Sequence, residues 1–405
     1  MTGRPNGVGD QGPADPDGET VARAGWSRLV EPGDAVAGAV IAALGGAGAL
    51  DWVRRTGSSL TARALGEMIE RAGPLGESDR RRLAAGLARW APRLEGLEPR
   101  RDLGALAQLG GVVVHPGIAG WPAALDDLGA AAPPCLWVRG AAGLDARLPR
   151  SVSLVGSRAA TGYGEHVAAE LAAGLADRRF AIVSGGAYGI DAAAHRGALA
   201  VGGQTVVFLA GGVDRPYPAG NATLLARVLE SGGSVVSEVP PGGVPSRSRF
   251  LQRNRLIAAA GGATVVVEAA WRSGALNTAG HAGRLLRPVG AVPGPVTSMA
   301  SAGCHRLLRE GAAVCVTDAA EVAELAGEAG RDLAPERVVV PAETDDLDEG
   351  ARRVLDALPV VRPAPPESVA RVAGMSVAAV LADLGMLELE GLAVREGPGW
   401  RRHRR

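Results

Sequence analysis

Apolar positions follow three different rhythms along the chain. Between residues 21 and 98 they recur at helical spacing, as in DAVAGAVIAALGGAGALDWV and ESDRRRLAAGLARWAPRLEGL, and predict a helical N-terminal module. From 99 to 150 the rhythm weakens. GVVVHPG and PPCLWVRG are two short strand candidates bounded by Gly and Pro, in a segment expected to connect and to pack on the domain C-terminal to it. From 151 to 325, short β-branched runs (SVSLVG, FAIVSG, TVVFLAG, SVVSEV, ATVVVEA, PVGAVPG) alternate with helical stretches such as EHVAAELAAGLADR. Strands without polar alternation are buried on both faces. This region is therefore predicted to be a Rossmann-like α/β domain with a doubly wound, mostly parallel sheet. Residues 326–348 read as a linker that turns acidic. Residues 349–405 hold three helix candidates, a strand, a Gly-Pro-Gly turn and a basic tail, the outline of a winged-helix domain.

Composition narrows this picture. The chain has 405 residues, 47% apolar but only 3% aromatic, so its cores must be built from Ala, Val and Leu. The first 20 residues are polar and rich in Gly and Pro, and are expected to be disordered. Neither they nor any later stretch reads as an 18-residue apolar run, so a soluble, cytoplasmic protein without a membrane partner is expected. Cys135, Cys304 and Cys315 form no CxxC pair, which predicts buried free thiols and neither a zinc site nor a disulfide; no metal or cofactor is expected. The 43 basic and 43 acidic residues balance, but residues 151–316 carry 15 Arg against 9 acidic residues, a net +6. A locally basic domain suits an anionic ligand.

The turns that follow the predicted strands carry the candidate chemistry. VGSRAATGYGEH, residues 155–166, is neither a GxGxxG fingerprint nor a GxxxxGK[ST] loop. It leaves Gly156, Ser157 and Arg158 to offer a phosphate backbone N–H groups, a hydroxyl and a guanidinium; as a plain loop, Arg158 would instead pair with a carboxylate. In SGGAYGIDAAAHRGAL, residues 184–199, Ser184, Gly185 and Gly186 end a strand and Tyr188 and Gly189 open a helix. Asp191 and His195, four apart on one helix face, are expected to bond each other and shape the turn, since no nucleophile accompanies them. In RSRFLQRNRLIAAAGG, residues 247–262, Arg247, Arg249, Arg253, Arg255 and Asn254 surround Phe250. Guanidinium groups that track a backbone beside a ring that stacks on a base are what single-stranded nucleic acid requires. Ser273 and Gly274 form a fourth turn, and the loop at Val292-Pro293-Gly294, with Arg306 beyond it, a fifth. Several such turns on one rim describe a groove, and a groove suits a polymer.

These stretches resemble the DprA (Smf) family of bacterial DNA-processing proteins. The resemblance rests on GSR at 156–158, SGGAYGIDAAAHRGAL at 184–199, GGVDRPYP at 211–218, F-x-x-RNR-x-IA at 250–258, SGALNTA at 273–279, VPG at 292–294 and GCHRLLREGA at 303–312. It implies a non-catalytic, homodimeric protein that binds single-stranded DNA without sequence preference and helps load the RecA recombinase in natural transformation. It implies DNA contacts at Ser157, Arg158, Arg247, Phe250, Arg253 and Asn254. Tyr188 stands where many members carry Arg. The alternatives are a nucleotide-binding sensor or a nucleoside monophosphate hydrolase. The hydrolase's PGGxGTxxE turn is met only by RSGALNTAGHAG, which has no glutamate at that spacing. In the C-terminal domain, the helix at 376–390 carries Asp383, Glu388 and Glu390 and no arginine. It is expected to meet protein, with any DNA contact left to Arg401–Arg405.

Overall fold

The unbroken apolar runs form a fully buried parallel sheet, and that sheet sets the architecture. The computed structural model describes residues 16–335 and 347–403. Among the described residues, five α-helices lead in: α1 (Gly18–Leu29), α2 (Ala35–Thr56), α3 (Ala62–Ala72), α4 (Glu77–Trp90) and α5 (Pro99–Gln108). Strands β1 (Gly111–Val114) and β2 (Leu136–Gly140) and the short α6 (Leu144–Arg147) come next. Strand and helix then alternate through β3 (Ser151–Val155), α7 (Gly162–Asp177), β4 (Ala181–Ser184), α8 (Ile190–Ala200), β5 (Thr205–Phe208), α9 (Ala222–Glu230), β6 (Ser234–Ser237) and α10 (Arg247–Ala260). The alternation ends with β7 (Ala263–Val266), α11 (Gly274–Arg284), β8 (Val289–Ala291), α12 (Ala302–Arg309), β9 (Val314–Cys315) and α13 (Ala319–Ala326).

Every residue of β3 to β8 is buried, as strands covered on both faces must be. The strand order is β1-β2-β6-β5-β4-β3-β7-β8-β9. The run from β6 to β9 is parallel, whereas β1 pairs antiparallel with β2, and β2 with β6. The chain winds outward from β3 to β6, returns through α10, and winds the other way from β7, so the order reverses between β3 and β7. One face of the sheet packs on α10 and α11 through Leu256, Ile257, Ala275 and Ala279. The other packs on α7, α8 and α13 through Leu171, Leu175, Ala194 and Val322.

Three findings differ from the sequence pattern. The segment 99–150 supplies two strands of the sheet itself, because GVVV and LWVRG find a hydrogen-bonding edge at β6. The two-residue strand β9 is too short to leave a pattern. Helix α2 is long and apolar enough to cross a membrane. Gly45, at φ +72, breaks it, and the Glu19 carboxylate accepts hydrogen bonds from the Gly46 and Ala47 N–H groups at the break. Val40, Leu50, Trp52 and Val53 of α2 are core, around an edge-to-face Trp26–Trp90 pair at 5.6 Å.

The N-terminal helices are tied to the sheet domain. Trp137 Nε1 donates to Ser27 Oγ at 3.1 Å, and Arg28 holds Asp102 and the Pro241 carbonyl. Residues up to Ala334 form one compact unit, and Pro335–Arg405 a second. Of the stretch expected to be disordered, residues 1–15 lie outside the described residues, and Gly18–Thr20 open α1 with Asp17 as N-cap. Residues 336–346 of the linker also lie outside them.

Among the described residues, the second unit holds the helices α14 (Glu349–Ala357), α15 (Pro366–Ala373) and α16 (Val377–Leu389), and a hairpin of β10 (Ala393–Glu396) and β11 (Gly399–Arg402). They close over Leu355, Val369, Val380, Leu384 and Trp400, a winged-helix arrangement. Arg401 and Arg402, expected in a tail, are wing residues of β11, and Arg401 pairs with Glu396 at 2.6 Å. Arg404 and Arg405 lie outside the described residues.

Candidate nucleic-acid interface

A cleft of about 410 Å³ opens beyond the carboxyl ends of β3 and β7, where the strand order reverses. That is where open α/β sheets bind ligands, because the loops on either side diverge there. Ser157 and Arg158 after β3, Ala187 and Asp191 after β4, and Ser273, Gly274 and Thr278 after β7 line it. Helix α10 supplies the remaining wall. Ser246 caps it by accepting from the Arg249 N–H at 3.2 Å. Helical spacing then puts Phe250, Arg253, Asn254 and Ile257 on the cleft side.

Phe250 is the centre of the arrangement. The Arg158 guanidinium lies 4.6 Å from its ring centroid and that of Arg253 6.0 Å. Tyr217 packs against it with centroids 5.6 Å apart. Arg158 is exposed; Arg253 is buried, and donates to the carbonyls of Gly185, at 2.7 Å, and Phe208. Its Nε has no hydrogen-bond partner among the described residues. Burial lowers the Arg253 pKa to about 10, against the pull of Asp191 and with a push from Arg158. Asn254 reaches across to α11, donating to Asn277 Oδ1 at 3.2 Å.

Two of the backbone N–H groups expected to face a phosphate, those of Ser157 and Gly185, are already engaged. Glu268, buried at the end of the β7 segment, closes the N-terminus of α7, accepting from the Thr161 N–H at 2.9 Å and the Thr161 hydroxyl at 2.6 Å. Asp191 accepts from the Gly185 and Ala187 N–H groups at 3.2 and 3.3 Å. Burial raises the Asp191 pKa, and Arg253 opposes the rise. The Ser157 N–H is spent on the Glu268 carbonyl at 2.8 Å. The groups that can attract an anion include the guanidinium groups and the start of α11, where Ser273 caps Ala275 N, Gly274 is exposed and the first turn holds no acid.

Several residues grouped with the ligand by sequence do something else. Ser184 is buried and its hydroxyl donates to the Leu154 carbonyl at 2.6 Å. Gly185 leaves room for Arg253, whose guanidinium fills the space a Cβ would take. Gly156 does the same for Ile190. Gly186 and Gly189 hold positive φ angles of +67 and +71, so they shape the turn. Arg255 is buried in a bidentate pair with Glu238, both contacts at 2.7 Å, and lies outside the cleft. Arg249 pairs with Glu31 at 3.0 Å. Arg247 is exposed at the start of α10, away from the cleft lining, and Tyr188 is exposed with its ring close to Gly220. Asp191 and His195 do not bond each other as expected. His195 bonds the Thr205 hydroxyl at 2.7 Å, and burial, with Arg253 and Arg196 nearby, lowers its pKa to about 3. Cys135 and Cys304 are buried, and burial pushes their thiols up to about 12 and 11, but Cys315 is exposed.

Tyr217, which packs on Phe250, is not among the residues the sequence pattern placed at the cleft. A signal existed: in a chain with 3 Tyr, all three fall in Gly- or Pro-flanked segments after predicted strands.

Residues 113–327 match the family described as DNA recombination-mediator protein A, and residues 340–399 match the DprA winged helix domain. A protein of Mycobacterium tuberculosis described as a putative DNA processing protein DprA is 46% identical over 385 residues, 93% of this chain and 92% of that one. Protein Smf of Escherichia coli is 42% identical over 173 residues, covering 43% of this chain and 46% of its own. The X-ray structure of DNA processing protein A from Streptococcus pneumoniae superposes with a TM-score of 0.57 at 28% identity, covering 76% of this chain and 96% of that one. The chain thus belongs to the DprA/Smf family of DNA recombination mediators.

Proposed function

We propose that this recombination mediator acts on single-stranded DNA, held in the cleft at the β3/β7 reversal. The observation that carries the reading is Phe250, a half-buried ring in the cleft lining, flanked by Arg158 and Arg253. Every base has a face to stack, and every nucleotide has a phosphate to pair, so a ring between cations binds a strand without reading its sequence. A duplex keeps its bases stacked on each other and offers the ring nothing.

The reading is non-catalytic. Asp191, His195 and Glu268 are each engaged in internal hydrogen bonds, which supports a structural part for all three. The family resemblance supports action as a homodimer, in the cytoplasm, that passes the strand to RecA. On α16 there is no cation, and Val377, Leu381, Met386 and Leu389 are exposed, which supports protein contact there.

The test is fluorescence anisotropy of a labelled oligothymidylate across a salt series, with duplex DNA and a mononucleotide as competitors. The expected result is binding that duplex does not displace, with a log–log salt slope of about −0.7 per phosphate engaged. It should weaken in Arg158→Ala. Displacement by the mononucleotide at the oligonucleotide's own concentration would replace this reading with nucleotide sensing.

A further inference from the structure

Aromatic side chains are only 3% of this chain, and most are core. Six of the seven tryptophans are at most 7% exposed, whereas Trp271 is 47% exposed. Tyr163, Tyr188 and Tyr217 are the other strongly exposed aromatics among the described residues. All four follow parallel strands at their carboxyl ends: Tyr163 after β3, Tyr188 after β4, Tyr217 after β5 and Trp271 after β7. Strongly exposed rings are thus confined, among the described residues, to the rim that holds the cleft.

Trp271 is held in place. Its neighbours Ala270 and Ser273 line the cleft, which puts residue 271 in the loop that borders it. The Arg306 guanidinium of α12 lies 5.2 Å from the ring centroid. Helix α12 is anchored there by the Gly303 N–H, which donates to the Ala269 carbonyl at 2.7 Å. The combination repeats that of Arg158 on Phe250, a ring braced by a guanidinium, and Trp271 is the more exposed of the two. The strand order puts Tyr217 and Trp271 on opposite sides of β3, three strand spacings apart. At about 4.8 Å per spacing, that is about 14 Å of rim, a length a strand can follow.

We infer that Trp271, braced by Arg306, is a second base-stacking platform that carries the bound strand past the cleft on the β7 side. The inference rests on the single-strand reading above. It makes affinity depend on oligonucleotide length, because a base reaches Trp271 only when the strand extends beyond Phe250.

The test compares oligothymidylates of about 2 and about 16 nucleotides, the shorter of which, at about 3.4 Å per nucleotide, cannot span the rim, read by anisotropy and by tryptophan fluorescence. Trp271 is the one strongly exposed tryptophan, so it should dominate any change on DNA binding. The long oligonucleotide should quench the wild type and not Trp271→Ala. The same variant should lose about five- to 150-fold in affinity for the long oligonucleotide and keep that for the short one. Trp271→Phe retains a ring, and should lose the quenching but keep most of the affinity, which guards against a folding defect in the alanine variant. Three outcomes overturn the inference: unchanged affinity of Trp271→Ala for both lengths, equal loss for both, or unchanged wild-type fluorescence while anisotropy reports binding. In each of these the Phe250 cleft stands. Absence of any oligonucleotide binding by the wild type removes both readings.

Discussion

Phe250 and the guanidinium groups beside it contribute differently to binding, and measurements can separate them. Stacking involves no counterion, so Phe250→Ala should weaken oligothymidylate binding by about 1–3 kcal/mol and leave the salt slope unchanged. Arg158 is exposed over the ring, and Arg158→Ala should flatten the slope by about 0.7 for a lost phosphate. Arg255 is the instructive contrast. It is two residues from Arg253 and chemically identical, yet helical phase turns it toward Glu238 and away from the cleft. Glu238→Ala would leave a buried guanidinium without its counterion and should cost about 3–5 kcal/mol in urea unfolding. The joint replacement Glu238→Leu with Arg255→Met should keep oligonucleotide affinity, because neither residue lines the cleft.

At the scale of the element, the starts of α7 and α8 hold internal partners. Carboxylates from Glu268 and Asp191 satisfy the N–H groups before α7 and α8, which orders the two loops that carry Thr161 and Gly185. The glycines between them give the loops their shape. Gly189 has φ +71, and a Cβ there would run into the Ser157 and Arg158 carbonyls. Gly189→Ala should therefore destabilise the fold by more than about 1 kcal/mol. It should also weaken DNA binding by displacing Arg158, and urea unfolding with anisotropy on one preparation checks both effects. These close approaches have no sequence signature. GGAYGID marks a turn, but only the packing of α10 against it shows that Gly185 seats an arginine.

At the scale of the whole molecule, the buried histidine makes stability depend on pH. His195 is fully buried, and its pKa is lowered to about 3 from an ordinary 6.5. As pH falls below 6.5 the unfolded chain takes up a proton that the folded chain refuses. Stability is therefore full above 6.5 and declines toward about 3. His281, lowered to about 4 mainly by burial, acts in the same direction. The urea midpoint should be lower at about pH 5 than at neutral pH, and His195→Gln should flatten that decline.

The sequence by itself determined the parallel sheet, the helical lead-in and the winged-helix unit, because the period of apolar residues reports directly which faces are buried. It also marked the rim, since glycines and arginines collect where strands end. Tertiary structure alone decided which of those residues face a ligand. Arg253 and Arg255, Glu268 and Asp191, Tyr217 and Trp271 acquire their partners from packing, most of them from segments distant in the chain, through a crossover that brings α10 from β6 back to β3 and β7. Periodicity is a local property and survives in one dimension. The direction a charged side chain takes depends on which neighbour supplies its counterion, and that neighbour is fixed only when the sheet closes.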